Sequence, residues 1–321
     1  MEPVYIFSLP RSGSTLLQRS LAGRSEIATV SEPWFLLPLI YSLKKEGVYA
    51  EYSHRTLYSA IEDFYQQLPG GKRDYMESIA VFAKELYEKA GGSEKMYFLD
   101  KTPRYHLICQ EIIDLFPGGK FIFLWRNPLA CLASRLHSYD GNWRVHRARV
   151  DLYTGLVNLV NTAKNNEEQV LQVRYEDFVA FPEQEMRRIL DYLSLSDDVE
   201  DGIHFNNSSL KGRMGDQRGV SKYTEVSVNS VEEWKKTLAS PVRKSWAKRY
   251  LEWIGEERLA YIGHDKAALV SELKELDSNH KQMASDITRI AFGALDSLLD
   301  IEIVLEKIKA RRKGGIYLPL R

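Results

Sequence analysis

The chain has 321 residues, long enough to bury a large core in one or two domains. Its 44 acidic and 44 basic residues cancel, which argues against the broad electropositive footprint of a duplex-DNA-binding protein and leaves room only for local basic patches. Two cysteines, Cys109 and Cys131, sit inside apolar helical-looking runs without the CxxC spacing of a metal site, so buried thiols and no metal are expected.

In chain order, VYIFSL (4–9) is a short apolar run ended by Pro10 and reads as a buried strand. Thr15–Leu21 follows with apolar residues at helical spacing, and IATVSEP (27–33) reads as a second strand running into a loop. Residues 36–90 carry helical periodicity, broken at PGG (69–71) and closed by Gly91 and Gly92. MYFLD (96–100) and KFIFLW (120–125) are two further buried strands, separated by the helical run YHLICQEIIDLF. Helices are predicted over 128–139 and 148–167, and VLQVRYED (170–177) as a strand ending in polar residues. Strands alternating with helices predict an α/β fold: a doubly wound parallel sheet with helices on both faces. In such sheets the chemistry lies at the carboxyl ends of the strands, which here carry Arg11, Glu32, Asp100, Lys101, Arg126 and Tyr175.

Residues 201–245 read as a long polar loop, with Phe205, Met214, Tyr223 and Trp234 favouring order over disorder. After Gly263 the composition turns helical and poor in glycine, which divides the chain into a main domain (1–263) and a helical C-terminal extension (264–321). The opening apolar run is too short and its start too uncharged for a secretory leader, and no stretch approaches the ~20 apolar residues of a membrane span. A soluble, cytoplasmic protein is expected.

Two segments carry the chemistry. PRSGST (10–15) joins a strand to a helix, where free backbone N–H groups and the positive end of the helix dipole face a ligand. Gly13 permits close backbone approach, Ser14 and Thr15 add hydroxyls, and Arg11 adds a fixed charge. The spacing is not the GxxxxGK[ST] of a nucleoside-triphosphate loop. RNPLACLASRL (126–136) repeats the arrangement: Arg126 closes a strand, Asn127 can cap, Pro128 suits the first helical position, and Ser134 lies two turns on. Two anion sites on neighbouring strand ends suit a nucleoside with phosphates at both ends.

PRSGST after the first strand, a glutamate after the second and RNPLACLAS after a later one together resemble sulfotransferases that use 3′-phosphoadenosine-5′-phosphosulfate, over roughly residues 3–263. The resemblance implies that Arg11, Ser12, Gly13, Ser14 and Thr15 hold the 5′-phosphosulfate, and that Arg126 and Ser134 hold the 3′-phosphate. It implies that Tyr175 contacts the adenine end, where the residues alone allow a core tyrosine. RGVSKY (218–223) is similar to the loop that closes over the donor, offering Ser221 and Lys222, with Lys235 a less secure match. Arginine at position 11 is the choice of protein-tyrosine and some glycan sulfotransferases, where many cytosolic members have lysine. Glu32 in VSEPW matches the base of the tyrosylprotein and heparan-type enzymes; the residues alone also allow a loop carboxylate paired with a cation. Lys101 in DKTPRYH matches the lysine that stabilises the leaving group, and His106 is a lesser alternative base or a structural histidine. The implied reaction is in-line attack of a hydroxyl, or an amine, on sulfur, with a glycan or metabolite as acceptor, the donor as cofactor and no metal ion. RLHSYDGNWRVHRAR (135–149) either lines an acceptor cleft for an anionic sugar or is a solvated helix face.

Two rival classes remain open. FLDK (98–101) can be read as a strand presenting Asp100 to magnesium, as in a kinase or phosphotransferase, and a non-catalytic nucleotide-binding module is the other reading. In the extension, Ile287, Ala291, Ala294, Leu298, Ile301, Leu305 and Ile308 form a heptad seam on a predicted long helix. Self-association through that seam is expected, ahead of packing on its own domain or, with the basic KIKARRK (307–313), lying on a membrane surface.

Overall fold

The computed structural model describes residues 1–45, 53–196 and 231–301, together with 304, 305 and 308. All five predicted strands form: β1 (Glu2–Ser8), β2 (Ile27–Thr29), β3 (Tyr97–Asp100), β4 (Lys120–Trp125) and β5 (Val170–Arg174). They pair in parallel in the order β2-β3-β1-β4-β5. Two strands are shorter than their sequence signal. β2 stops at Thr29, whose hydroxyl bonds the Leu99 carbonyl, and β5 yields at Tyr175 to a helix.

Because side chains alternate across a strand, the sheet sorts its residues into two cores. Tyr5, Phe7, Phe98, Phe121, Phe123 and Trp125 face one side. There they meet α4 (Lys72–Gly91), α5 (Cys109–Leu115), α6 (Pro128–His137) and α7 (Leu156–Asn165), with α11 (Pro241–Ile254) and α12 (Glu256–Tyr261) beyond. Val4, Ile6, Leu99, Ile122 and Val173 face the other side, covered by α1 (Ser14–Ala22), α8 (Tyr175–Ala180) and α9 (Pro182–Tyr192). The predicted doubly wound α/β fold is the observed one. Both cysteines are buried thiols, each pushed up to about 11 by burial.

Strand order fixes where a ligand can bind. β1 connects to β2 on one side of the sheet, while its neighbour β4 connects to β5 on the other. The chain therefore diverges between the carboxyl ends of β1 and β4, opening a crevice there.

Of the long loop predicted over 201–245, residues 233–237 and 241–245 are helical, and residues 201–230 lie outside the described residues. α10 (Glu233–Thr237) packs on α6, and α11 begins where Ser240 accepts a capping bond from the Arg243 N–H ahead of Pro241. α13 (Lys266–Glu275) places Leu269 and Leu273 in the same core cluster as the sheet, although it lies beyond the expected boundary at 263. α14 (Met283–Leu299) lies against α11 and the 3-10 turn Val145–Ala148. It does not run on to Ile308 as one helix. Asp300 adopts a left-handed backbone (φ 49°) and its N–H closes on the Asp296 carbonyl, which divides the expected seam. No helix among the described residues is long and apolar enough to cross a membrane.

Candidate active site

The crevice is built by the loop between β1 and α1. Ser12 N–H turns back onto the Leu9 carbonyl, Arg11 takes a left-handed backbone (φ 74°), and Gly13 (φ 90°) caps α1. A left-handed arginine costs about 1–2 kcal/mol, and such strain persists only where the surroundings enforce it. Gly13 is required twice over, because a Cβ there would also fall 2.3 Å from the Tyr175 ring. α1 begins without a side-chain cap and without an acidic residue in its first turn, so its leading N–H groups and positive dipole end face the crevice.

Three of the predicted residues form one stack. The Arg126 guanidinium lies 4.2 Å from the centre of the Tyr175 ring, whose edge abuts Gly13. Arg126 Nη1 also donates to the Arg11 carbonyl at 2.9 Å, tying the β4 end to the loop. Ser134 meets Arg11 rather than Arg126: Arg11 Nε donates to its Oγ at 3.1 Å. The two anion sites read separately in the sequence are thus one connected cluster. Ser12 turns inward, with its hydroxyl 3.3 Å from Cys131 Sγ and its N–H on the Leu9 carbonyl.

Beside this cluster, Glu32 and Lys101 meet although 69 residues separate them. Lys101 follows β3 and is almost fully buried; its Nζ donates to Glu32 Oε1 at 2.7 Å and to Thr15 Oγ1 at 3.3 Å. The other Glu32 oxygen accepts from Trp34 Nε1 at 3.1 Å. Trp34 itself has a left-handed backbone (φ 63°), a second strained residue within the site. An acid, an ammonium and a hydroxyl therefore converge at the N-terminus of α1. Each carboxylate oxygen keeps a second lone pair for an incoming proton.

Other candidates are placed elsewhere. His106 is completely buried, and its Nε2 lies 2.8 Å from Asp151, which also pairs with Arg104. Asp100 points into the aromatic core, where the hydroxyls of Tyr87 (2.7 Å) and Thr102 (2.9 Å) occupy its two oxygens. Burial there, only partly offset by those bonds, raises its carboxyl to about 6. Lys235 is held by Glu232 and, at 2.9 Å, by Glu272. Ser221 and Lys222 lie outside the described residues. Among the described residues no group of three or more histidines, cysteines or acids is arranged to hold a metal.

Sequence reasoning missed two supports of the site. Trp34 was visible only as part of VSEPW. Glu176, whose Oε1 accepts from the Asn127 N–H at 2.9 Å, fixes the β4 end from the first turn of α8, which the strand reading of 170–177 concealed.

Comparison with known proteins agrees with this fold. The chain is 25% identical over 289 residues to nodulation protein NoeE of Sinorhizobium fredii, covering 82% of this chain and 66% of that protein. It is 24% identical over 153 residues (44% of this chain, 38% of the relative) to the omega-hydroxy-beta-dihydromenaquinone-9 sulfotransferase Stf3 of Mycobacterium tuberculosis. It is 23% identical over 263 residues (80% and 48%) to a protein-tyrosine sulfotransferase of Drosophila melanogaster. The chain thus spans between about a third and two thirds of the length of these relatives. Among solved structures, the sulfotransferase domain of the curacin biosynthetic pathway superposes with a TM-score of 0.52 at 21% identity, over 78% of this chain and 96% of that domain. The domain of the Synechococcus olefin synthase gives 0.53 at 22%, over 76% and 94%. The profile of the Sulfotransferase family matches residues 3–200, which span β1 to β5 and every described residue of the crevice, and the chain belongs to that family.

Proposed function

We propose that this protein transfers a sulfuryl group from 3′-phosphoadenosine-5′-phosphosulfate to a hydroxyl of a glycan or metabolite, an amine being the second choice. The observation that carries the reading is the meeting of Glu32, Lys101 and Thr15 at the uncapped start of α1, beside the Arg11 and Arg126 guanidiniums.

The residues present fit such a donor. A nucleoside bisphosphate needs cations and N–H donors at both ends, and this crevice supplies two arginines, a helix N-terminus and a flat tyrosine face with no acid in the α1 first turn. When bound, the donor supplies an electrophilic sulfur and a nucleotide leaving group. Arg11, Ser14, Thr15 and the α1 N–H groups would hold its 5′ end, and Arg126 and Ser134 its 3′-phosphate. Glu32 would take the acceptor proton, since a positioned carboxylate removes charge from the attacking oxygen as the bond to sulfur forms. Lys101 would neutralise charge growing on the departing oxygen, which a buried ammonium does without reorganising solvent. Its contact with Glu32 keeps the two groups aligned before reaction.

Hydroxyl acceptors are favoured because two relatives are named for them: an omega-hydroxy menaquinone for Stf3 and protein tyrosine for the Drosophila enzyme. The occupied, inward-facing Asp100 speaks against a magnesium-dependent kinase. Mass spectrometry of a panel of glycans, phenols and hydroxylated lipids incubated with the donor tests the reading. Donor-dependent gain of a sulfuryl group on any of them is expected. Magnesium-dependent turnover of ATP, or donor binding with no transfer across the panel, would overturn it.

A further inference from the structure

Two residues beyond Glu32, the chain turns on a tryptophan. Glu32 precedes Pro33, whose ring disfavours a helical backbone at the residue before it. Soon after, the chain is in the core: the Phe35 ring lies 5.5 Å from that of Tyr87, and Leu36 is fully buried at the start of α2 (Leu36–Tyr41). Trp34 makes the change of direction. Its backbone is left-handed (φ 63°), and its carbonyl accepts from the Leu37 N–H at 3.1 Å, so the turn leads directly into the helix. For a bulky side chain that conformation is a genuine outlier. The turn is also held from its far side, where the Leu36 N–H donates to the Tyr105 hydroxyl at 3.3 Å. Tyr105 is buried on the 3-10 turn Pro103–Leu107, which begins two residues after Lys101.

The same turn brings the indole back to Glu32. Trp34 Nε1 donates to Oε2 at 3.1 Å, while Lys101 Nζ holds Oε1 at 2.7 Å. The two donors restrain the carboxylate differently. An ammonium is a point charge on a flexible stem with three rotating donors, so alone it leaves the carboxylate free to turn about the Nζ···Oε1 contact. The terminal torsion of a glutamate is broad and does not supply the missing restraint. An indole N–H is a single donor fixed in the plane of a rigid ring, and it cannot accept the proton that a base must take. The strain at Trp34 persists because Phe35, Leu36 and Tyr105 over-determine the turn.

We propose that Trp34 is a positioning residue for the transfer: its N–H fixes the rotation of the Glu32 carboxylate, so that a free lone pair faces the acceptor hydroxyl as its proton leaves. The inference rests on Glu32 being the base. A tryptophan that only supported the crevice would, when lost, weaken donor binding and transfer together. Loss of the N–H alone is expected to slow the transfer and spare the binding.

Trp34→Phe keeps an aromatic ring on the same backbone and removes the donor. It is expected to leave donor affinity within about twofold of wild type and to slow single-turnover transfer about 10–100-fold, the scale of a small misplacement of a reacting group. In a Glu32→Gln background, where no base remains to be positioned, the same substitution is expected to change the rate less than about twofold. A second readout does not depend on turnover. The indole N–H resonance of Trp34, identified among the six by its loss in Trp34→Phe or Trp34→Tyr, is expected to move upfield in Glu32→Gln, because hydrogen bonds to a charged acceptor are stronger. An unmoved resonance, wild-type transfer by Trp34→Phe, or equal slowing on both backgrounds would overturn the inference. A wild type that transfers nothing while the resonance moves would overturn Glu32 as base, and the positioning role with it, and leave the contact itself standing.

Discussion

Two buried ion pairs in this molecule look alike in burial and differ in saturation. Arg243 and Asp286 join α11 to α14, and every nitrogen of the guanidinium has a protein acceptor: both Asp286 oxygens, the Thr237 and Gly141 carbonyls and the Gln282 amide oxygen. Lys101 and Glu32 share one close contact. Among the described residues the ammonium has only Thr15 as a further partner, and the carboxylate is 11% exposed, opening to the crevice beside the strained Trp34. A saturated pair holds elements in place. A pair with spare lone pairs, a remaining donor and an opening to a cleft is arranged to exchange partners, which is what proton transfer and charge stabilisation need.

The sharpest way to break the comparison is to halve the saturated pair. Asp286→Ala leaves Arg243 buried without its carboxylate and is expected to cost about 3–5 kcal/mol of stability in urea unfolding. A loss below about 1 kcal/mol, the range of a surface pair, would remove the clamp role.

A smaller effect is expected at Asp100, a buried acid whose partners are hydroxyls rather than a cation. Its folded carboxyl titrates near 6, above the ordinary 3.8. The protonated form therefore favours the fold. Its stabilisation is complete below about pH 4 and is lost as pH rises through about 6, a change on the order of 2–3 kcal/mol. Asp100→Asn is expected to flatten that part of the stability profile, and an unchanged slope between these pH values would contradict the assignment.

Smaller again are the two arginines of the crevice. Arg11→Ala and Arg126→Ala should each weaken binding of 3′-phosphoadenosine-5′-phosphate by roughly 1.5–3 kcal/mol in calorimetric titration, the range for hydrogen bonds to charged groups. Equal affinity of the wild type for adenosine 5′-phosphate would remove the 3′-phosphate role of Arg126 and Ser134.

The sheet and its strand-end residues were legible in the sequence because both depend on local pattern: apolar runs of strand length, each ended by proline, arginine or a polar pair. Contacts between distant segments were not. Nothing local shows that Ser134 turns to Arg11, or that Lys101 reaches Glu32 and Thr15 together. At α14 the pattern showed an apolar stripe but not which way it faces: Arg243, 43 residues upstream, draws Asp286 inward and turns those positions out. The heptad count also ran through Asp300, a residue type that tolerates the left-handed backbone ending the helix. Asp100 was legible as a strand-end acid, yet only the three-dimensional shell of Tyr5, Tyr87 and Thr102 shows that it faces the core.

The most direct test of the unsaturated pair is single-turnover transfer of labelled sulfate from the donor by Glu32→Gln, with donor affinity measured on the same protein. Glutamine keeps an oxygen for Lys101 but accepts no proton. The predicted result is donor affinity within about twofold of wild type and a transfer step slower by about 10²–10⁴-fold. Wild-type transfer by Glu32→Gln would contradict the role of the Glu32–Lys101 pair in the chemistry.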